Sequence, residues 1–260
     1  MIRQPYHLVE PSPWPLTASI GALLLTMGLV SWFHNKGMLC LYMGLSLMLT
    51  VMYMWWRDIS REGTLAGNHT STVVKNLQIG MLMLILSEVC FFFGFFWAFF
   101  HSSLVPAPEL GCKWPPVGIE PVDTFSMPLA NTVILLCSGA TVTWAHHALL
   151  KGNRKGAILA LTLTLILGAS FSVLQIDEYK EASFSIYDGI YGSTFYVTTG
   201  FHGFHVFIGS VFLFLCLLRL LKDQFSQQHH FGFIAAAWYW HFVDVVWILL
   251  FISMYWWGGN

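Results

Sequence analysis

Seven long apolar stretches constrain the fold of this 260-residue sequence more than any other feature. A helix needs about 20 apolar residues to cross the roughly 30 Å hydrocarbon core of a bilayer. Backbone groups must be paired within lipid, and the alternating pattern of a β-barrel strand is absent, so each stretch is expected to be a helix. The sequence therefore predicts an all-α integral membrane protein with seven transmembrane helices. The predicted spans are 16–34, 38–56, 74–103, 129–149, 156–177, 191–220 and 233–257.

The low charge content points to the same class of protein. Charged residues make up 10% of the chain, and hydrophobic residues make up 56%, whereas ordinary soluble domains carry about 25% charged residues. The formal net charge of −1 argues against a nucleic-acid partner. No small-residue cleavage site follows an apolar stretch near the N-terminus, so we expect the first span to be retained as a membrane anchor.

The basic residues are divided unevenly between the two sides of the membrane, which predicts the orientation of the chain. The N-terminal side holds nine of the twelve: Arg3, Arg57, Arg61, Lys75, Lys151, Arg154, Lys155, Arg219 and Lys222. The other side holds Lys36, Lys113 and Lys180. We therefore expect the N-terminus on the positive side and, after an odd number of spans, the C-terminus on the opposite side.

A long polar segment after the second span predicts a break between two groups of helices. We assign residues 1–57 to an N-terminal segment with helices 1 and 2, residues 58–73 to a linker, and residues 74–260 to a bundle of helices 3 to 7. Basic residues near this break and at the end of the sixth span can attract anionic lipid headgroups. Positive-side topology alone explains the same charges.

Glu88 is an acidic residue deep within the third span. It is flanked by Phe91, Phe92 and Phe95 at helical spacing. Desolvation disfavours a charged carboxylate, so we expect a largely protonated carboxyl group. Two roles fit this residue: a neutral acid hydrogen-bonded to a neighbouring helix, or a group that handles a proton or regulates the protein.

Asp244 is the second acid deep within a span. It follows His241 by three residues, so both side chains lie on the same face of the seventh helix. We expect a hydrogen bond between them that fixes the packing of this helix.

Small residues in the fifth and sixth spans predict close helix packing. They are Gly168 and Ser172 in the fifth span, and Gly200, Gly203 and Gly209 in the sixth.

Eleven histidines and five cysteines raise the question of a metal or haem site. His202 and His205 are spaced i, i+3 in the sixth span, and such a pair can share a metal. However, the cysteines are scattered, and the chain contains no CxxC, CxxCH or HExxH motif. Because no complete ligand set is present, we expect neither a metal nor a haem in this chain.

Several long motifs resemble those of the cytochrome c oxidase subunit III family in its mitochondrial form. They are WWRDISREGT at 55–64, SEVCFFFGFFWAFFHSSL at 87–104, YGSTFYVTTGFHGFHVFIGS at 191–210 and HHFGFIAAAWYWHFVDVVW at 229–247. The resemblance extends over nearly the whole chain.

The resemblance implies a core subunit of a complex that passes electrons from cytochrome c to oxygen and pumps protons across the mitochondrial inner membrane. In such a complex haem a, haem a3 and copper belong to subunits I and II. The implied fold is a two-helix and a five-helix bundle, with phospholipid in a V-shaped cleft between them. The N-terminus would lie in the matrix and the C-terminus in the intermembrane space.

The resemblance also implies roles for individual residues. Glu88 corresponds to the carbodiimide-reactive glutamate of the family, and five further positions match its lipid-headgroup contacts. These five are Arg61, Glu62, His69, Arg219 and Lys222. Ile234 departs from the family pattern, which usually has an acid there, so any contact of that acid is in doubt in this chain.

Three functions are compatible with these sequence features. The first is a non-catalytic subunit that stabilises subunit I, holds phospholipid and supports proton uptake. The second is a proton-coupled transporter that uses Glu88 and Asp244, and the third is a haem-binding electron carrier. No convincing internal repeat of the transporter kind is present. The signature motifs favour the first.

Overall fold

The computed structural model describes residues 4–259, and it confirms seven helices long and apolar enough to cross a membrane. They are α1 (Trp14–Phe33), α2 (Leu39–Thr64), α3 (Ser71–Leu104), α4 (Met127–Leu150), α5 (Arg154–Glu181), α6 (Gly189–Leu221) and α7 (Phe231–Leu250). A π-helical segment, Phe251–Trp257, extends α7, and a short 3-10 turn covers Pro108–Leu110. No strand occurs between residues 4 and 259. Arg3, which enters the prediction of orientation, lies outside the described residues.

Helix α2 continues to Thr64, well beyond the predicted end of the second span at residue 56. Hydropathy identifies only the apolar part of a helix, whereas this extension is polar. Arg57 Nη2 lies 2.9 Å from Asp58 Oδ1, and Trp14 Nε1 donates a hydrogen bond to Asp58 Oδ2 over 2.9 Å. These contacts hold the extension against the start of α1. Most of the predicted linker 58–73 is therefore helical, and residues 65–70 connect α2 to α3.

The chain forms two compact units, one up to Leu77 and one from Gln78 onward. In the first unit α1 and α2 pack along each other. A β-carbon at Gly28 would collide with the backbone of Leu41, and one at Gly44 would collide with the backbone of Leu25. The two helices can approach this closely only because both positions lack a side chain.

In the second unit α7 lies at the centre of the packing and contacts both α4 and α6. Trp240 and Trp247 of α7 are almost completely buried. Trp240 Nε1 donates to Ser138 Oγ, and Trp247 Nε1 donates to Thr132 Oγ1, each over 2.9 Å. Both acceptors lie on α4, so the two indoles hydrogen-bond α7 to α4 at two levels. Such bonds within a membrane stabilise packing by roughly 0.6 kcal/mol each.

The predicted small-residue contacts are only partly correct. Gly168 of α5 and Gly209 of α6 both face the indole of Trp240, which confirms their role in close packing. At Gly200 and Gly203 a β-carbon would meet no atom of the described chain within 4 Å, so the prediction is wrong there. Helical periodicity separates these positions onto different faces of α6, because only one face is turned toward α7.

Candidate functional site

Glu88 of α3 faces His205 of α6 inside the second unit. Glu88 Oε2 lies 2.9 Å from His205 Nε2, a hydrogen-bond distance. The His205 side chain is 8% exposed and the Glu88 side chain 28% exposed. The sequence predicts a buried carboxyl at Glu88, but it does not identify His205 as its partner.

The second nitrogen of His205 determines how many protons the pair holds. His205 Nδ1 lies 2.7 Å from the backbone oxygen of Phe201. A carbonyl oxygen can only accept, so Nδ1 carries a hydrogen and donates it. The hydrogen bond between Nε2 and Glu88 then requires one more proton, on either the carboxyl or the ring. The pair is thus a neutral acid with a neutral imidazole, or a carboxylate with an imidazolium, and it is neutral in both forms.

Aromatic rings surround this pair. The rings of Phe92 and His205 have centroids 5.0 Å apart, and the ring of Tyr239 stacks near His205 at 6.2 Å. Phe91, one turn after Glu88, packs edge-on against Phe201 at 5.0 Å. These rings cover the His205 side of the pair, and a hydrogen bond is stronger in low-dielectric surroundings.

His202 points away from His205 despite the i, i+3 spacing. Its Nε2 lies 3.2 Å from the backbone oxygen of Val243 on α7, whereas His205 faces α3. Each ring is therefore engaged by a different helix. Among residues 4–259, no group of three or more His, Cys, Asp or Glu side chains is arranged to hold a metal ion.

Asp244 and His241 are neighbours, but the expected hydrogen bond between them is not formed. His241 Nδ1 lies 3.8 Å from Asp244 Oδ2, which is beyond hydrogen-bond distance. Instead, His241 Nε2 lies 3.2 Å from Thr143 Oγ1 of α4. The spacing in sequence places both groups on one face correctly, but the other nitrogen of the ring is engaged by Thr143, and no pattern within α7 could indicate that partner.

A cavity of about 830 Å³ in the first unit brings together three of the five predicted headgroup residues. Arg61 and Glu62 at the end of α2 line it, as does His69 in the connection to α3. Its lining contains both basic and acidic side chains, with the indoles of Trp14 and Trp55 beside them. The cavity thus offers polar groups of both signs next to an apolar wall.

The segment before α1 folds over this cavity. Thr70 Oγ1 donates to the backbone oxygen of Pro5 over 2.5 Å. His7 Nε2 lies 3.9 Å from Glu62 Oε2, and the ring of His7 packs edge-on against that of His69 at 5.8 Å. The sequence does not predict this arrangement, because it depends on how the irregular N-terminal segment returns to the end of α2.

Arg219 and Lys222 are in the second unit, at the end of α6. The guanidinium of Arg219 stacks over the ring of Phe225, 4.5 Å from its centroid, and its Nε donates to Gln224 Oε1 over 3.3 Å. Lys222 follows directly at the helix C-terminus and is exposed.

His230 lies just before α7 and is buried. Burial lowers its pKa below the ordinary value of 6.5, although a hydrogen bond from Nδ1 to the backbone oxygen of Ser226 opposes this shift. Its ring packs edge-on against that of His146 on α4, with centroids 5.4 Å apart. Ile234, where the family pattern has an acid, lies in the first turn of α7 and is partly buried.

Comparison with known proteins identifies relatives along the whole chain. The family model described as "Cytochrome c oxidase subunit III" matches residues 4–259. The protein named "Cytochrome c oxidase subunit 3" of Scyliorhinus canicula is 63% identical over 255 residues, which cover 98% of both chains. Its namesake of Lumbricus terrestris is 62% identical over 259 residues, and that of Heterololigo bleekeri is 59% identical, each match covering 100% of both chains.

Proposed function

This chain belongs to the cytochrome c oxidase subunit III family, and we propose that it is a non-catalytic core subunit of the respiratory oxidase. The match of the family model to residues 4–259 is the observation that carries the proposal. The complex would pass electrons from cytochrome c to oxygen and pump protons. Haem a, haem a3 and copper would be held by partner subunits I and II, which this chain would bind together with accessory subunits.

Within that complex, we propose that the Glu88–His205 pair supports proton uptake by subunit I or stabilises the helix packing that it requires. The 2.9 Å contact and the single shared proton support both roles, because the pair can change which atom holds the proton without gaining charge. A protonated Glu88 would also explain reactivity toward a carbodiimide, which modifies the neutral acid.

We propose that the cavity of the first unit binds a phospholipid headgroup. Arg61 and His69 would contact the phosphate, and Glu62 would contact an amine where the headgroup carries one. Trp14 and Trp55 would lie at the level of the headgroups, where amphipathic rings are favoured. Arg219 and Lys222 would contact anionic phospholipid from the second unit.

We propose that the chain lies in the mitochondrial inner membrane with its N-terminus in the matrix and its C-terminus in the intermembrane space. Seven helices long enough to span a membrane would put the termini on opposite sides, which supports this proposal. The excess of basic residues on the N-terminal side supports this orientation.

Purification of the chain from its native membrane tests the main proposal. The expected result is stoichiometric co-purification with haem-bearing subunits and a Soret absorbance that belongs to them. A chain purified without those subunits should show no Soret band. A haem that stays with the isolated chain would overturn the proposed division of roles, and so would a chain that never associates with haem-bearing subunits.

Lipid analysis of the same complex tests the headgroup site. We expect the Arg61→Gln variant to lose a tightly held phospholipid that the parent complex retains. Lys151→Gln is a suitable control, because Lys151 is an exposed basic residue at the end of α4. Equal retention of lipid by Arg61→Gln and the parent complex would contradict the assignment.

A further inference from the structure

The edge where α4 meets α7 carries a polar patch in the middle of two membrane spans. We define this α4–α7 patch by Gly139 and Thr143 of α4 and by His241 and Asp244 of α7. Thr143 is exposed, and the side chain of His241 is 45% exposed. The exposed residues around it on α7 are apolar, as Val245 and Leu249 illustrate. Polar side chains at this depth are costly against hydrocarbon and usually face protein or water.

The hydrogen bonds inside the α4–α7 patch leave it short of donors. Thr143 Oγ1 donates its hydrogen to the backbone oxygen of Gly139 over 2.9 Å. With its hydrogen used in this way, the hydroxyl accepts from His241 Nε2, 3.2 Å away. The other ring nitrogen, Nδ1, lies 3.8 Å from Asp244 Oδ2, which is beyond hydrogen-bond distance.

Asp244 is the acceptor that this arrangement leaves unsatisfied. The side chain is 9% exposed. Its Oδ1 is enclosed by this chain and has no hydrogen-bond partner among the described residues. Its Oδ2 lies 3.8 Å from His241 Nδ1, beyond hydrogen-bond distance, so the oxygen that a partner could approach also lacks a donor. A buried carboxyl oxygen without a donor costs about 1–3 kcal/mol. The patch therefore needs a donor that this chain does not supply.

The surface around Asp244 is also shaped for close approach. Gly139 is buried, and a β-carbon there would lie 2.5 Å from Asp244 Oδ2, so its missing side chain makes room for the carboxyl group of this chain itself. Ala140, the next residue on α4, is exposed and small. Small residues beside a polar group are typical of surfaces where transmembrane helices pack together.

We propose that the α4–α7 patch is the docking surface for a transmembrane helix of another oxidase subunit, and that this helix brings a hydrogen-bond donor to Asp244. The inference rests on the proposed function, because it takes the partner from the same complex. It adds the surface on this chain and the chemistry that the partner helix must carry: an apolar face with one Ser, Thr, Asn, Gln, Lys or Arg at mid-membrane depth.

Hydrogen-bond complementarity favours a helix of another subunit over two other occupants of the patch, a lipid molecule and a second copy of this chain. Lipid tails carry no donor, and headgroup phosphates lie about 15 Å from the middle of a bilayer core that is roughly 30 Å thick. A second copy of this chain, packed through the same patch about a two-fold axis, would bring Asp244 against Asp244. A different helix with a donor satisfies the surplus acceptors.

Photolabelling with an apolar carbene precursor dissolved in the bilayer tests the patch in the native complex. We expect peptides containing Thr143 and His241 to be protected in the assembled oxidase and labelled after the partner subunits have been removed. Equal labelling in the two samples would overturn the inference. Disulfide formation between two copies of a Thr143→Cys chain in the complex would also overturn it, since it would make the occupant a second copy.

A nearly isosteric variant tests the donor chemistry. Asp244→Leu has a similar size and no acceptor atom, so retention of the chain by the complex in detergent should weaken roughly three-fold, the effect of one average hydrogen bond between membrane helices. Trp144→Leu is the control, because Trp144 is exposed on the same helix about 100° away from Thr143. Unchanged retention of Asp244→Leu would contradict a hydrogen bond from the partner helix to Asp244.

The two proposals fail in different ways. A chain that co-purifies with haem-bearing subunits but is labelled equally before and after their removal refutes the docking surface alone. A chain that never co-purifies with them refutes the proposed function and the docking surface with it.

Discussion

At the scale of single residues, the environment of each buried acid depends on a hydrogen-bond partner or neighbour that the sequence does not identify. Glu88 is identifiable from the sequence because an acid among phenylalanines is rare in a span. His205 is also visible as one of two histidines in α6, but the choice between His202 and His205 depends on the rotation of α6 relative to α3. Spacing within one helix carries no information about that rotation, and for the same reason the sequence misses Thr143 as the partner of His241.

The shared proton of the Glu88–His205 pair predicts different outcomes for two substitutions. In Glu88→Gln the amide can donate an N–H to His205 Nε2, so assembly and electron transfer should remain largely intact. In His205→Leu the carboxyl loses its acceptor, which should destabilise the fold by about 1–3 kcal/mol. Turnover and the Tm of the purified complex measure the two effects. Complete loss of oxidase activity in Glu88→Gln would contradict the neutral-pair description.

Burial of His230 predicts a loss of stability in acid. Its pKa in the folded chain is below the ordinary 6.5, so the unfolded chain takes up this proton first as the pH falls. The contribution of His230 is therefore complete above about pH 6.5 and declines below it. The Tm of the complex between pH 5 and 7 should fall less steeply in His230→Gln than in the parent. Identical slopes would show that His230 does not titrate differently on unfolding.

At the scale of helices, hydropathy predicts spans better than it predicts helix ends. The seven apolar stretches are all helices, but α2 continues to Thr64 through polar sequence. The extension depends on Asp58, which pairs with Arg57 and accepts a hydrogen bond from Trp14. Trp14 is 44 residues away in sequence, so no local window could anticipate it.

Close packing of α1 and α2 predicts that one methyl group added at their contact lowers the stability of the protein. Gly28→Ala places a β-carbon against the backbone of Leu41, which cannot move without separating the helices. Overpacking of this kind costs typically about 1–3 kcal/mol. Gly80→Ala in α3 is the matched control, because a β-carbon there meets nothing within 4 Å of the described chain. The Tm should fall in Gly28→Ala and stay level or rise in Gly80→Ala, and equal changes would refute the packing argument.

At the scale of the whole molecule, the proposed orientation makes a prediction about its loops. A protease added to mitoplasts, whose outer membrane has been removed, should cleave near Lys113 in the loop between α3 and α4. It should leave the connection at residues 65–70 intact until the inner membrane is permeabilised. Cleavage of that connection in intact mitoplasts would reverse the orientation.

The single proton shared by Glu88 and His205 also determines how the protein responds to an electric field. Transfer of that proton between Oε2 and Nε2 moves charge by less than the 2.9 Å between the two atoms. That distance is about one tenth of a bilayer core roughly 30 Å thick, so 100 mV would bias the transfer by about 0.2 kcal/mol at most. The membrane potential therefore has almost no effect on which atom of the pair holds the proton. In a respiring mitochondrion, local hydrogen bonding would determine the position of that proton.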